Sequence, residues 1–120
     1  MFYLNINRIF HYTSSLSYKV IKITNEITII ATVQIKEGKM EEAKEVLKEI
    51  AKSVLANEPG TLEYTPHTVR NEENTIIFVE KYKDVDAMKA HMAGLGKTML
   101  KAMPLMVPAP PNIKSCTPIE

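Results

Sequence analysis

The feature that most constrains this chain is a change of hydrophobic period at Glu37-Gly38. Before it, Ile27, Ile29, Ala31, Val33 and Ile35 alternate with Thr28, Ile30, Thr32, Gln34 and Lys36, the two-residue period of a strand with one buried face. After it, Met40, Ala43, Leu47, Ile50, Ala51 and Val54 recur at steps of three and four, the apolar stripe of an amphipathic helix. Glu41/Lys44, Glu45/Lys48 and Glu49/Lys52 sit one turn apart on the solvent side, each acid preceding its base, and Pro59-Gly60 stops the helix soon after Ala56.

The remainder extends this strand-helix unit into a recognisable order. Thr61 to Arg70 reads as a second strand, with Pro66 marking a sheet edge or bulge because it has no N–H to donate. Asn71 to Asn74 is a polar turn, and Thr75 to Tyr82 is a third strand that closes a hairpin. Asp84 is placed to cap a second helix reaching about Leu100, with Ala87, Met88, His91, Leu95 and Met99 on its inner stripe. Gly94 and Gly96 predict a kink or early fraying, and Pro104 ends the helix. Pro108, Pro110 and Pro111 form a stiff connector into a short last strand within Asn112 to Ile119. The order β-α-β-β-α-β predicts an α+β, ferredoxin-like fold with an antiparallel sheet. Two helices cover only one sheet face, yet strand one carries Ile30 on its polar side and strand three is apolar on both. Either Ile77 and Val79 or Ile76 and Phe78 must therefore face away from the helices, which predicts a homodimer.

At 120 residues the chain has room for one domain. We divide it into an N-terminal extension over residues 1–25 and a folded domain over 26–120. The extension lacks acidic residues but carries Arg8, Lys19 and Lys22, a faint likeness to a mitochondrial transit peptide; the plainer alternative is a lead into the first strand. A net charge of +1 gives no support to a nucleic-acid groove or an anionic membrane surface, and no apolar run approaches the roughly 20 residues of a membrane span. The single cysteine, Cys116, cannot form an intramolecular disulfide, so a reducing, cytoplasmic setting is expected. No nucleotide, zinc or calcium motif occurs, and no cofactor or metal is expected.

Four stretches together resemble the antibiotic-biosynthesis-monooxygenase family: Val33 to Lys39 (VQIKEGK), Asn57 to Tyr64 (NEPGTLEY), Phe78 to Asp84 (FVEKYKD) and Ala87 to Met92 (AMKAHM). The likeness spans about residues 27–103. It implies a dimeric α+β barrel made of two ferredoxin-like sheets, with a pocket between helices and sheet in each subunit. The family's members include cofactor-independent oxygenases of polycyclic phenols, quinol oxygenases, a sugar-phosphate isomerase and haem-degrading enzymes. This chain departs from the pattern after helix two's histidine, where Gly94-Leu95-Gly96-Lys97 replaces a common Pro-His-Phe-like segment. It also places Ala31, His91 and Lys101 where the haem-degrading branch has Asn, Trp and a ligating His, which argues against haem breakdown.

His91 is the sharpest candidate for chemistry, because a polar ring on an apolar stripe needs either a partner or a cavity. An imidazole there could take a phenol or quinol proton and leave an anion able to react with O2; it could equally be a core histidine bonded to a carbonyl or carboxylate. Glu80 shares a face with Ile76, Phe78 and Tyr82; it could orient His91 or serve as a structural anchor. Tyr64 and Tyr82 could stack on a flat substrate, while Met88 and Leu95 flank His91 and would line its pocket. Met88, Met92, Met99, Met103 and Met106 cluster within one stretch, fitting either an irregular core or an adaptable pocket. The expected function is cofactor-independent oxidation of a small phenolic or quinol-like substrate by O2. The alternatives are isomerisation of a small (phospho)carbonyl metabolite, with Lys97 and Lys101 as cationic donors, and a non-catalytic dimeric ligand-binding protein.

Overall fold

The computed structural model describes residues 24–120; most of the proposed extension lies outside the described residues. The alternating run forms β1 (Ile27–Gln34) and the amphipathic stripe forms α1 (Met40–Asn57). The turn between them bends at Gly38, whose φ of 75° lies in the left-handed region that suits glycine. Ala43, Leu47, Ile50 and Val54 of α1 are buried against the sheet. Outside, Glu41–Lys44 and Glu49–Lys52 close as exposed ion pairs at 2.7 and 3.7 Å, a geometry that contributes little to stability.

β2 (Thr61–Val69) and β3 (Glu72–Tyr82) make the hairpin, with Val69 opposite Glu72. The polar run Asn71–Asn74 predicts a four-residue turn, but the turn is tighter. Asn71 takes a positive φ of 67°, a conformation Asn tolerates better than most side chains, so Glu72 to Asn74 join the strand. β4 (Asn112–Cys116) stops short of Ile119. The sheet order is β2-β3-β1-β4, and every pairing is antiparallel. This is the expected β-α-β-β-α-β ferredoxin-like arrangement, with Pro66 on an edge strand.

The two sheet faces differ. Ile29, Ala31, Val33, Ile76 and Phe78 are buried toward the helices. By alternation Ile77 and Val79 of β3 face the other way with Ile30, and all three are half-buried. The choice left open by sequence between the two pairs is thereby resolved.

α2 (Val85–Thr98) begins as expected, with Asp84 Oδ1 accepting from the Ala87 N–H at 2.8 Å. It runs unbroken through Gly94 and Gly96, so the expected kink is absent. It ends at Thr98, two residues before the predicted end, and Pro104 falls instead in a short 3-10 turn, Met103–Leu105. His91 is the only fully buried residue of α2; its apolar neighbours Met88, Met92 and Leu95 are only half-buried. This helix therefore roofs the sheet without filling the space beneath it. No helix among the described residues is long and apolar enough to cross a membrane.

The turn between α1 and β2 packs tightly under α2. A Cβ built on Gly60 would lie 2.6 Å from the Ala87 Cβ, and the Gly60 carbonyl accepts from the Lys83 N–H at 2.9 Å. The Ala87 side chain is a single methyl group fixed to the helix backbone, so it cannot yield to a second one. Gly60→Ala is expected to destabilise the fold by about 1–3 kcal/mol, the usual range for overpacking, measured as a lowered midpoint in urea unfolding.

Candidate functional site

The close approach at Gly60 builds the polar centre of the molecule. Ala87 meets the turn, and His91, four residues further on, projects from the same helix face. Glu58 is held from its own turn, where the Thr61 hydroxyl donates to Glu58 Oε1 at 2.9 Å. The His91 Nδ1 meets that same oxygen at 2.8 Å. A carboxylate only accepts hydrogen bonds, so Nδ1 carries the proton and the second ring nitrogen, Nε2, holds the lone pair in the neutral ring. Nε2 is buried and has no hydrogen-bond partner among the described residues. The imidazole packs between two phenol rings, with centroids 5.0 Å from Tyr64 and 5.4 Å from Tyr82.

Glu80 approaches from the sheet. It is 5% exposed and accepts a short hydrogen bond from the Tyr82 hydroxyl. Burial raises its pKa above the ordinary carboxylate value; the Tyr82 bond and the nearby His91 work against that rise, and Glu58 adds to it. Burial is also the main force holding both phenols above their usual range. At Tyr64 the charges of Glu80 and Glu58 reinforce it, and at Tyr82 the bond to Glu80 does so first. Both tyrosines therefore stay protonated and act as donors.

Beneath α2 lies a cavity of about 310 Å³. Its floor is the helix-facing side of the sheet, including Ile29, Ala31, Val33 and Phe78, and its roof is Met92, Leu95, Gly96 and Met99. Met103, Met106, Pro111 and Ile113 close the end toward β4. The polar side chains in its wall are Glu80 and Tyr64. The volume sits at the lower end of the usual range for small-molecule pockets.

The sequence candidates divide accordingly. Glu80, Tyr64 and Leu95 line the cavity, whereas His91, Tyr82 and Met88 do not. His91 stands behind the tyrosines, 2% exposed, so the cavity opens onto Glu80 and not onto the imidazole. The carboxylate bonded to His91 is Glu58; Glu80 bonds to Tyr82 instead. Four of the five clustered methionines form cavity wall, the less common of the two readings of that cluster. Lys97 and Lys101 line a separate surface groove between the helices, together with Glu58, Glu45 and Glu49, and bring no cation to the cavity. Sequence reasoning missed Glu58. It stands in the Asn57-Glu58-Pro59-Gly60 turn, where an acid ordinarily reads as solvated, and nothing local signals a partner 33 residues away.

The raised pKa of Glu80 has a consequence for stability. The folded state holds the carboxyl proton to higher pH than the unfolded chain, whose value is near 4.5. Stability from this group is complete below that value and is lost as pH rises through the folded pKa. Glu80→Gln, which keeps an acceptor for Tyr82, is expected to match wild type near pH 4 and to melt progressively higher than wild type as pH increases. Thermal melts across a pH series check this.

A family model described as antibiotic biosynthesis monooxygenase matches residues 26–95. No curated protein matches the chain. Among solved structures, a candidate antibiotic biosynthesis monooxygenase from Caulobacter crescentus is 29% identical, covering 81% of this chain and 92% of its own, with a TM-score of 0.67. A counterpart from Bacteroides thetaiotaomicron is 22% identical, with coverages of 80% and 91% and a TM-score of 0.67. SnoaB, a cofactor-independent oxygenase from Streptomyces nogalater, shares the fold at 18% identity, with coverages of 81% and 96% and a TM-score of 0.67. With the family model matching more than half its length and the expected fold in place, this chain belongs to the antibiotic biosynthesis monooxygenase family.

Proposed function

We propose that the protein is a cofactor-independent monooxygenase of a small, flat phenol or quinol. The observation that carries this reading is the cavity: a methionine-rich, apolar hollow whose wall presents a buried carboxyl group and a phenol donor side by side. The apolar wall suits an aromatic ring, and thioethers adapt to flat faces. Glu80, with its raised pKa, is placed to take the substrate's hydroxyl proton, since a general base works best when its pKa approaches the operating pH. Tyr64 donates to the oxygen that remains. The electron-rich anion then reduces O2. One oxygen atom is inserted at a ring carbon, the other leaves as water with the hydroxyl proton and the proton lost from that carbon, and the phenol becomes a quinone; all four electrons that reduce O2 come from the substrate, so the balance needs no further reductant. An isomerase of phosphorylated substrates is less well supported, because the cations it would need, Lys97 and Lys101, face the other groove.

The test is a panel of naphthols and hydroquinones incubated with and without air. Oxygen uptake equal to quinone formed is expected, together with a loss of about 10²-fold or more in Glu80→Gln. Identical turnover without air, or none across the panel, overturns the reading.

The same proposal includes a homodimer formed through the open sheet face. Ile30, Ile77 and Val79 present an apolar strip that two helices of one subunit cannot reach, and a two-fold contact would bury both copies of it at once. Sedimentation is expected to give twice the chain mass of 13.6 kDa, and replacing both Ile77 and Val79 with Lys is expected to shift the protein toward monomer. A folded wild-type monomer at micromolar concentration sinks the dimer.

A further inference from the structure

The cavity beneath α2 is unevenly enclosed. Across the sheet its floor runs from Tyr64 on β2, through Phe78 and Glu80 on β3 and Ala31 on β1, to Ile113 on β4. Tyr64 and Phe78 are each 3% exposed, whereas Ile113 is 49% and Met103 56% exposed. The enclosed side therefore holds both polar groups, and the more open side is apolar. Two strand spacings of roughly 4.8 Å separate Glu80 from β4, a span that two fused aromatic rings bridge. Among the described residues the Tyr64 hydroxyl reaches only the Met99 sulfur, a weak acceptor at 3.9 Å, which leaves it able to donate to a ligand oxygen. No lysine or arginine lines the cavity among the described residues. An anionic group brought inside would lose water without gaining a cation, beside the carboxyl group of Glu80.

We propose that the cavity opens beside β4, between Met103 and Ile113, and that a phenolic ligand enters hydroxyl first. This rests on the phenol reading above for the group that leads. The hydroxyl reaches Glu80 and Tyr64, and the opposite end of the ring system stays at the opening. The position of a charged substituent then decides whether a ligand fits. Far from the hydroxyl, the charge remains in water. On the hydroxyl-bearing ring, it is carried into an apolar wall that holds no cation. Met103 and Ile113 are thus specificity residues, because they meet the end of the ligand that can vary. Ile113 lies opposite Ala31 in the sheet and faces the same way. The opening is therefore on the helix side, away from the strip proposed for the dimer.

The experiment measures binding to the full chain by ligand fluorescence, without oxygen so that nothing is consumed. The probes are 2-naphthol, 6-hydroxy-2-naphthoate and 4-hydroxy-2-naphthoate. The first carboxylate lies on the ring away from the hydroxyl; the second lies on the same ring, meta to it and beyond an internal hydrogen bond. The 6-hydroxy isomer is expected to bind at least about tenfold tighter than the 4-hydroxy isomer, a modest part of the cost of burying an unpaired charge. Met103→Lys is expected to raise the affinity for 6-hydroxy-2-naphthoate relative to 2-naphthol by about threefold, the size of an exposed ion pair. Ile113→Lys carries the same measurement if Met103→Lys does not fold. Leu55→Lys, in the separate groove between α1 and β2, is expected to keep the wild-type ratio. Equal affinity for the two isomers, or the reverse preference, overturns hydroxyl-first entry. A ratio that neither Met103→Lys nor Ile113→Lys changes, or that Leu55→Lys raises as much, overturns the place of the opening. If none of the probes binds, this inference and the phenol reading fall together. Isomer-selective binding without oxygen uptake in air overturns the oxygenase reading alone and leaves the direction of entry standing.

Discussion

The architecture of this protein depends on how α2 is held. An ordinary amphipathic helix is fastened by a full stripe of buried aliphatic side chains, as α1 is by Ala43, Leu47, Ile50 and Val54. α2 has no such stripe. It is secured at one end by the Asp84 cap and the contact of Ala87 with Gly60, and one turn later by His91 gripping Glu58. A helix anchored by polar contacts near its start can leave its middle standing clear of the sheet, and the cavity is the space so created. Filling that space with leucines would bury more apolar surface but would abolish the site.

The polar groups in and behind the cavity wall obey the same economy. Two carboxyl groups, an imidazole and two phenols are gathered where water is largely excluded, an arrangement that is costly unless each group finds a partner. Glu80 has Tyr82, Glu58 has Thr61 and His91, and Tyr64 has the Met99 sulfur at 3.9 Å, a weak acceptor. The weakly satisfied atoms are the Tyr64 hydroxyl, in the cavity wall, and His91 Nε2, behind it.

Much of this was legible in the sequence, and the limits have physical causes. Period-two and period-3.6 patterns report which face of an element is apolar, so β1, α1 and the order of elements along the chain follow from them, and the cap at Asp84 follows from its position. The same patterns cannot say whether an apolar face meets atoms or empty space. Met92 and Met99 therefore fit core and pocket equally well by sequence, and the structure puts them in the cavity wall beside Leu95. Glu72 to Asn74 have the composition of loop residues, yet the strand continues through them because the left-handed conformation of Asn71 completes the reversal early. His91 stood out as a polar residue on an apolar stripe. Its partner could not, since pairing Glu58 with it requires knowing that Gly60 lets α2 come down onto the turn.

Gly96 stands in the roof of the cavity, and a Cβ added there would meet nothing within 4 Å. Gly60, by contrast, admits no atom at all. The chain therefore separates positions that decide whether it folds from positions that decide what it admits. A replacement at Gly96 would reshape the roof with no clash at its first atom, whereas one at Gly60 would strain the scaffold. Divergence of chemistry across a shared fold needs that kind of independence.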